Sequence, residues 1–209
     1  DGIAYKKNGS IIFNKIRNFQ DINEFSPIGF DFFEFERYVF KGQLGERTIF
    51  WNSSQGCPYQ CGFCSTAAVY SRKWSGLKAK SLLEQLKKMS YDYNIDGITF
   101  AEDNFFVDIG RVEELCQGII ENNITIRWAS DVRVDQINRF SEAFLRLLKK
   151  SGCIKLYIGA ESGDDDVLGL IDKKIMVSDT YKAADTLDKH KIIAEFFVIV
   201  GFPDNPKKD

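Results

Sequence analysis

From residue 47 onward, short apolar segments typical of β-strands alternate with longer segments typical of α-helices. This alternation predicts parallel strands joined by right-handed helical crossovers, which either close into a barrel or form an open doubly wound sheet. Both architectures place functional groups at the carboxyl ends of their strands. The strands are predicted at residues 47–52, 97–101, 125–129, 154–160 and 192–200.

Helices are predicted between these strands from the spacing of apolar residues and from end signals. One begins at Ser81, because Ser81-Leu82-Leu83-Glu84 matches a capping box. Another covers residues 108–122, where Val112, Leu115, Cys116, Ile119 and Ile120 form a single apolar stripe. The remaining helices are predicted at residues 141–151, 165–171 and 178–190, with Gly152 just past the end of the first.

The first 45 residues do not share this alternation. Residues 3–13 predict a small β-hairpin, because Asn8-Gly9 supplies the positive φ values that a tight primed turn requires. Residues 14–45 lack clear periodicity and contain many aromatic side chains, which indicates a connecting segment packed over a neighbour. A domain boundary is therefore predicted near residue 45.

Cysteines are the chemically most specific residues of the chain. Cys57, Cys61 and Cys64 are spaced C-x3-C-x2-C directly after the first predicted strand. Three thiolates from one loop can bind three irons of a [4Fe–4S] cluster and leave the fourth iron open for a substrate or cofactor. Cys116 and Cys153 are interpreted as small core residues. His190 is the only histidine, which disfavours a zinc site with three cysteines and one histidine.

Composition restricts the class of protein. The formal net charge is −2 and 44% of the residues are hydrophobic, which indicates a soluble chain with one sizeable core. We expect no nucleic-acid partner, no membrane association and a cytoplasmic location, since clustered cysteines suit a reducing compartment. The basic stretch at residues 70–80 is interpreted as a solvated loop, with a phosphate-bearing partner as the alternative.

Polar residues follow each predicted strand, where the chemistry of either architecture would collect. After the first strand comes the cysteine run, and after the others come Glu102 and Asp103, Ser130 and Arg133, Glu161, and Asp204.

These residues resemble radical S-adenosylmethionine (SAM) enzymes. The cysteine run with Phe63 before its last cysteine is similar to the signature of that family, and residues 98–105, 127–133, 159–163 and 199–203 resemble strand-end blocks of its cobalamin-associated class. The resemblance implies an α/β fold, a partial (β/α)6 TIM-like barrel with parallel strands. Residues 46–209 would supply five of its six strands. Residues 1–45 would be the hairpin and connector from an upstream cobalamin-binding domain.

The resemblance also implies roles for residues near the methionine end of SAM. Cys57, Cys61 and Cys64 would hold the cluster. Asp103 or Glu102 would accept a hydrogen bond from the amino group of SAM. Arg133 would pair with the methionine carboxylate, and Ser130 is counted among the cofactor-binding residues.

The adenosine end of SAM is expected beside the last two strands. Glu161 would bind the ribose hydroxyls. Phe63 and the backbone of Ile199 and Gly201 would border the adenine, since a glycine allows close approach. No catalytic side chain is predicted, because hydrogen abstraction by a carbon radical requires no general base.

The expected activity is reductive cleavage of SAM to a 5′-deoxyadenosyl radical, coupled to cobalamin-dependent methyl transfer or a radical rearrangement. The expected cofactors are a [4Fe–4S] cluster, SAM and cobalamin, the last held mainly by a domain outside this chain. The expected partners are an unknown small-molecule or peptide substrate and a reductant such as flavodoxin or ferredoxin. The alternatives are a methylthiotransferase-like enzyme without cobalamin and a non-catalytic iron–sulfur electron-transfer protein. Three rather than four cysteine ligands favour an enzyme.

Overall fold

The structure is a computed structural model that describes residues 1–26 and 29–202. The strands in chain order are β1 Ala4–Lys7, β2 Ser10–Phe13, β3 Thr48–Trp51, β4 Ser54–Gly56, β5 Trp74–Gly76, β6 Gly97–Phe100, β7 Arg127–Arg133, β8 Cys153–Glu161 and β9 Ile193–Val198. The helices are α1 Thr66–Tyr70, α2 Ala79–Asp92, α3 Ile109–Glu121, α4 Val134–Ile137, α5 Glu142–Lys150, α6 Asp165–Leu170 and α7 Val177–Lys189. Short 3-10 turns lie at Ile22–Glu24, Phe30–Phe32, Phe35–Tyr38 and Phe105–Val107.

The main sheet is parallel throughout, and its strand order is β3-β6-β7-β8-β9. The order follows the chain without a reversal, whereas a doubly wound sheet reverses at a switch point. The sheet is therefore part of a TIM-like barrel, and the predicted fold class is confirmed. The predicted hairpin is confirmed as well, with β1 and β2 antiparallel and φ values of 50° at Asn8 and 85° at Gly9.

The core lies between one face of the sheet and the helices. Ile98 and Phe100 of β6 are fully buried, as is Trp128 of β7. The buried stripe of α2 comprises Leu82, Leu86 and Met89, and that of α3 includes the predicted residues Val112, Leu115, Cys116 and Ile119. Burial of these apolar side chains fixes the helices on the sheet and leaves its carboxyl end free to carry loops.

β7 is longer than the sequence predicts. The prediction ends this strand at residue 129, yet the strand continues to Arg133 because β8 pairs with it as far as Gly159. The prediction that Ser130 and Arg133 follow this strand is wrong, because pairing with β8 continues beyond Ala129. Ser130 consequently lies within the strand, and Arg133 is its last residue.

The start of α2 also differs from the prediction. The helix begins at Ala79, two residues before the predicted capping Ser81, and Lys78 occupies the N-cap position. The backbone N–H of Lys78 donates to Oδ1 of Asn23, 3.0 Å away in the connector. The predicted capping box is therefore wrong, because a residue from a distant segment anchors this end of the helix.

The connector packs against the barrel. Phe30 and Phe35 are buried, and the Phe30 ring stacks on Trp51 of β3 at a centroid distance of 5.6 Å. At the other end, β9 stops at Val198, so Ile199 and Gly201 follow the strand rather than end it. Asp204 and Pro203 lie outside the described residues. Among the described helices, none has the length and apolar character needed to cross a membrane.

Candidate functional site

A short antiparallel hairpin that the sequence analysis missed holds the cysteine loop. β4 and β5 are antiparallel, and their pairing runs from Ser54 opposite Gly76 to Gly56 opposite Trp74. Residues 57–73 therefore form a loop whose two ends are held together by this hairpin. Gly56 has a φ of +81°, and a Cβ there would lie 2.2 Å from the carbonyl oxygen of Lys73. Only glycine fits at this position, directly before Cys57.

Two polar side chains approach the cysteine sulfurs. Nη1 of Arg133 donates to Sγ of Cys61 at 3.1 Å, and Nδ2 of Asn104 lies 3.9 Å from Sγ of Cys57. Burial raises the pKa of Cys57. Hydrogen bonds from the backbone of Tyr59 and from the side chain of Asn104 lower this pKa, but the effect of burial is larger. Cys64 is exposed. Asn104 was not predicted, although it directly follows the acidic pair at the end of β6.

The other cysteines lie elsewhere in the structure. Cys116 and Cys153 are both buried, and burial raises the pKa of Cys116 to about 12. Their interpretation as core residues therefore fits the structure. Over residues 1–26 and 29–202, no group of three Cys, His, Asp or Glu side chains is arranged to hold a metal ion. A cluster that offers a separate iron to each thiolate does not require such convergence. Three thiols on one loop, two with N–H donors near their sulfurs, fit a three-cysteine cluster.

The two neighbouring carboxylates after β6 have different environments. Oε1 of Glu102 accepts from the backbone N–H of Ser53 at 2.6 Å and also from its hydroxyl, while Oε2 accepts from the hydroxyl of Ser54. Glu102 is buried. Asp103 is exposed and accepts from the backbone N–H of Gly56 and from Oγ1 of Thr66, both at 2.9 Å. Of these two carboxylates, Asp103 is the one that contacts the cysteine loop and remains accessible to solvent.

Arg133 is engaged by the protein on all three of its nitrogens. Besides Cys61, it donates from Nε to Asp135 and from Nη2 to the carbonyl oxygen of Lys173, both at 2.8 Å. Its guanidinium also lies 3.8 Å from the centre of the Tyr59 ring. Burial lowers the pKa of Arg133, but Asp135 and Cys61 outweigh this effect and raise it. Arg133 therefore braces the cysteine loop, and its pairing with a methionine carboxylate stays a prediction.

A buried ion pair that the sequence analysis missed involves Glu161. Its Oε1 lies 2.6 Å from Nζ of Lys173, in the loop after α6. The same Nζ lies 5.7 Å from the centre of the Phe63 ring. The carbonyl oxygen of Glu161 accepts from the backbone N–H of Ile199 at 2.8 Å. The structure thus brings Glu161, Phe63 and Ile199 together, with a cation between the first two. Gly201, with a φ of +86°, follows two residues later.

Successive residues of β7 point to opposite faces of the sheet. Ser130 is fully buried, and its hydroxyl lies 3.3 Å from the carbonyl oxygen of Phe100 as a donor, which leaves it no accessible surface for a cofactor. Asp131, on the other face, was not predicted. Burial raises its pKa to about 7, and the nearby carboxylates Glu102 and Asp103 add to this effect.

Comparisons with known proteins identify the family and the fold. The model of the Radical SAM superfamily matches residues 51–209. An uncharacterised methyltransferase of Pyrococcus horikoshii is 28% identical over all of this chain and 44% of its own length. An anaerobic magnesium-protoporphyrin IX monomethyl ester cyclase of Synechocystis is 24% identical over all of this chain and 41% of its own length. The chain therefore spans less than half the length of these relatives.

Solved structures show the same fold. The cobalamin-dependent S-adenosylmethionine radical enzyme OxsB has a TM-score of 0.70 at 17% identity, over 98% of this chain and 31% of its own. The radical S-adenosylmethionine methyltransferase TsrM from Kitasatospora setae, solved with cobalamin and a [4Fe–4S] cluster bound, has a TM-score of 0.66 at 16% identity, over 80% of this chain and 33% of its own.

Proposed function

Since this chain belongs to the radical SAM superfamily, we propose that it is the barrel core of an enzyme that cleaves SAM reductively and uses the resulting chemistry for methyl transfer. The observation that carries the proposal is the loop of Cys57, Cys61 and Cys64 at the carboxyl end of the sheet, while the two other cysteines are buried in the core. A cluster held by three thiolates keeps one iron open for SAM.

The three loop cysteines hold the cluster in this proposal. When bound, the [4Fe–4S] cluster supplies one electron, which splits SAM into methionine and a 5′-deoxyadenosyl radical. Arg133 and Asn104 direct N–H groups at the sulfurs of Cys61 and Cys57. Hydrogen bonds to the sulfurs of such clusters are one determinant of their reduction potential. These two side chains therefore adjust the potential as well as the position of the loop.

Asp103 binds the amino group of SAM. Of the two adjacent carboxylates, it is the exposed one, and the backbone of Gly56 and the hydroxyl of Thr66 hold it against the cysteine loop. Glu102 accepts hydrogen bonds from Ser53 and Ser54, so it stabilises the junction between β3 and β4 instead of binding SAM.

Glu161 and Lys173 form the polar part of the site for the rest of SAM. The carboxylate of Glu161 accepts from ribose hydroxyls, and Lys173 supplies a buried positive charge between Glu161 and Phe63. The exposed ring of Phe63 and the backbone after β9, at Ile199 and Gly201, border the adenine. Arg133 contributes positive charge near the methionine carboxylate.

Methyl transfer with cobalamin is supported by the names of the relatives and by the cobalamin-dependent structures of the same fold. In this proposal, cobalamin is bound mainly by a region outside this chain, and the enzyme acts in the cytoplasm on a small molecule or peptide. A radical rearrangement is the second candidate, since one relative is named a cyclase. A methylthiotransferase-like enzyme without cobalamin would purify without the corrinoid absorption spectrum.

The test uses the full-length protein reconstituted with iron and sulfide without oxygen. We expect about four irons per chain and formation of 5′-deoxyadenosine from SAM under dithionite. Cys61→Ala should abolish this product. Cys116→Ala is the matched control, because it removes a thiol of the core, and it should retain both cluster and product. A cluster-loaded protein without affinity for SAM would contradict the proposal and favour an electron-transfer protein.

A further inference from the structure

The main sheet has a second face, which points away from the helices. Successive side chains of a strand point to opposite faces, and Val132, Ile158 and Phe196 pack in or against the helix-covered core. The side chains that alternate with the core residues define what we call the inner face. Its charged and aromatic members are Phe50, Asp131, Lys155, Tyr157, Glu195 and Phe197. In a TIM-like barrel, this face lines the interior.

Asp131 lies near the centre of the inner face. It belongs to β7, the middle strand of the sheet. In the register of the sheet, Asp131 is opposite Tyr157 of β8, and Tyr157 is opposite Glu195 of β9. Asp131 is also two residues before Arg133, the last residue of its strand. Its carboxylate is therefore close to the end of the sheet that carries the cysteine loop.

The described cations on or beside this face already have anionic partners. The ion pairs are Lys155 with Glu195, Arg133 with Asp135 and Lys173 with Glu161, with N–O distances of 2.8, 2.8 and 2.6 Å. Lys155 also donates to the side chain of Gln43 in the connector. The charges of these three cations are therefore balanced within the protein.

Asp131 differs, because no ion pair includes it in the part of the chain that the structure describes. Its hydrogen-bond donors are backbone N–H groups, those of Glu102 and of Asp131 itself. Burial raises its pKa to about 7, and the negative charges of Glu102 and Asp103 add to this increase. Burying an ionised carboxylate costs free energy unless a positive group offsets its charge. A positively charged group of a ligand would provide this compensation.

Aromatic rings extend the inner face beside Asp131. The rings of Tyr157 and Phe197 are stacked, with their centroids 5.8 Å apart and an angle of 3° between their planes. Nζ of Lys155 lies 5.2 Å from the centre of the Tyr157 ring. Phe197 is 46% exposed, and Phe50 on β3 is 59% exposed. These two rings offer apolar surface on the same face as the carboxylate.

We propose that the inner face binds a substrate with a cationic nitrogen, which pairs with Asp131, and with an apolar part, which packs on Phe197. This inference rests on the proposed function, because it specifies the substrate class of that enzyme. Asp131 then determines specificity for an amine over a neutral or anionic compound. The negative charges of Glu102 and Asp103 disfavour an anion at the same place. No covalent bond forms or breaks in this binding step.

The test compares two probes that share a phenyl ring, phenethylamine and phenethyl alcohol. They are added without oxygen to the full-length, cluster-loaded protein, and ligand-observed NMR measures their affinities. At about pH 7 the amine is positively charged and the alcohol is neutral. The wild type should bind the amine about tenfold more tightly, because a charge-assisted hydrogen bond is stronger than a neutral one. Asp131→Asn should abolish this preference. Phe197→Leu should weaken both probes and preserve it.

The matched control is Asp185→Asn, since Asp185 is exposed on α7 and lies outside the inner face. This variant should keep the preference for the amine. Asp131→Asn should also retain SAM binding, measured by equilibrium dialysis, which shows that the variant is folded. Equal affinity of the wild type for the two probes would overturn the proposal without any variant. A preference that survives in Asp131→Asn would overturn it too.

Failure of the proposed function is detected by a different measurement. A wild-type protein that neither binds SAM nor forms 5′-deoxyadenosine under dithionite would contradict SAM cleavage itself. The comparison of the two probes requires no turnover, so it reports on Asp131 separately. Loss of SAM binding in Asp131→Asn, with an unchanged midpoint of urea unfolding, would assign Asp131 to the cofactor and contradict its role towards the substrate.

Discussion

At the scale of single residues, Glu102 and Asp103 show how environment separates two similar side chains. Both are carboxylates at the end of β6, and both accept hydrogen bonds from the protein. Glu102 is buried among donors from Ser53 and Ser54, whereas Asp103 keeps accessible surface beside the cysteine loop. A buried carboxylate with both oxygens hydrogen-bonded to the protein is a structural group, and an exposed carboxylate beside a cofactor site can bind a ligand.

Isosteric amide variants separate these roles. Asp103→Asn should weaken SAM binding by about tenfold, since a charge-assisted hydrogen bond is replaced by a neutral one. Its effect on the free energy of unfolding should be small. Glu102→Gln should destabilise the fold by about 2 kcal/mol, because an amide nitrogen cannot accept the bond from Ser54. Equilibrium dialysis of SAM and urea unfolding measure the two effects. Reversed results would assign the amino-group contact to Glu102.

At the scale of elements, α2 shows that a helix can be capped from outside its own sequence. Lys78 cannot cap the helix with its side chain, and the orphan N–H at this end is satisfied by Asn23, 55 residues earlier. Asn23 also donates to the carbonyl oxygen of Gly76 at 3.0 Å. The connector therefore holds both the start of α2 and the end of β5, which closes the cysteine loop.

Alanine variants test this assignment. Asn23→Ala should lower the free energy of unfolding by about 2 kcal/mol, because its two hydrogen bonds, with Lys78 and Gly76, are lost at about 1 kcal/mol each. Ser81→Ala should leave it unchanged, because Ser81 is exposed within the helix and does not cap it. Urea unfolding of both variants provides the measurement. A larger loss for Ser81→Ala would restore the capping box that the sequence predicts.

At the scale of the whole molecule, the connector behaves as part of the barrel rather than as a linker. Phe30 and Phe35 belong to the same buried cluster as Trp51 and the apolar stripe of α2. The hairpin before it is different, because residues 1–18 are exposed throughout. The folded unit thus extends further towards the amino terminus than a boundary near residue 45 suggests.

Two truncations test where the folded unit begins. Deletion of residues 1–17 should leave the midpoint of thermal unfolding nearly unchanged, since it removes only exposed side chains. Deletion of residues 1–45 should cost about 6 kcal/mol or more, because two buried phenylalanines are lost at 3–5 kcal/mol each. This is comparable to the whole stability of a domain. Cooperative unfolding of the shorter chain at a similar temperature would instead support the boundary near residue 45.

Local patterns in the sequence were sufficient for much of the fold. Three features depend only on residues close together in the sequence and could be predicted without tertiary information. They are the alternation of strands and helices, the Asn8-Gly9 turn and the apolar stripe of α3. The spacing of Cys57, Cys61 and Cys64 likewise predicts the loop to which we assign the cluster. Of the polar residues expected after the strands, Glu102 and Asp103 do follow β6, whereas Arg133 and Glu161 are the last residues of β7 and β8.

Other features were decided only when distant segments packed together. The contact between Arg133 and Cys61 spans 72 residues, and the one between Asn23 and Lys78 spans 55. The pairing of Lys173 with Glu161 and the continuation of β7 beside β8 are equally tertiary. The type and spacing of residues in the sequence indicate which ligands a side chain could bind. Its burial and its hydrogen-bond partners in the structure determine whether it is free to bind them. For this reason, the sequence by itself determined the cysteine spacing on which the proposed chemistry rests, and the tertiary structure decided which polar side chains remain available beside the cysteine loop.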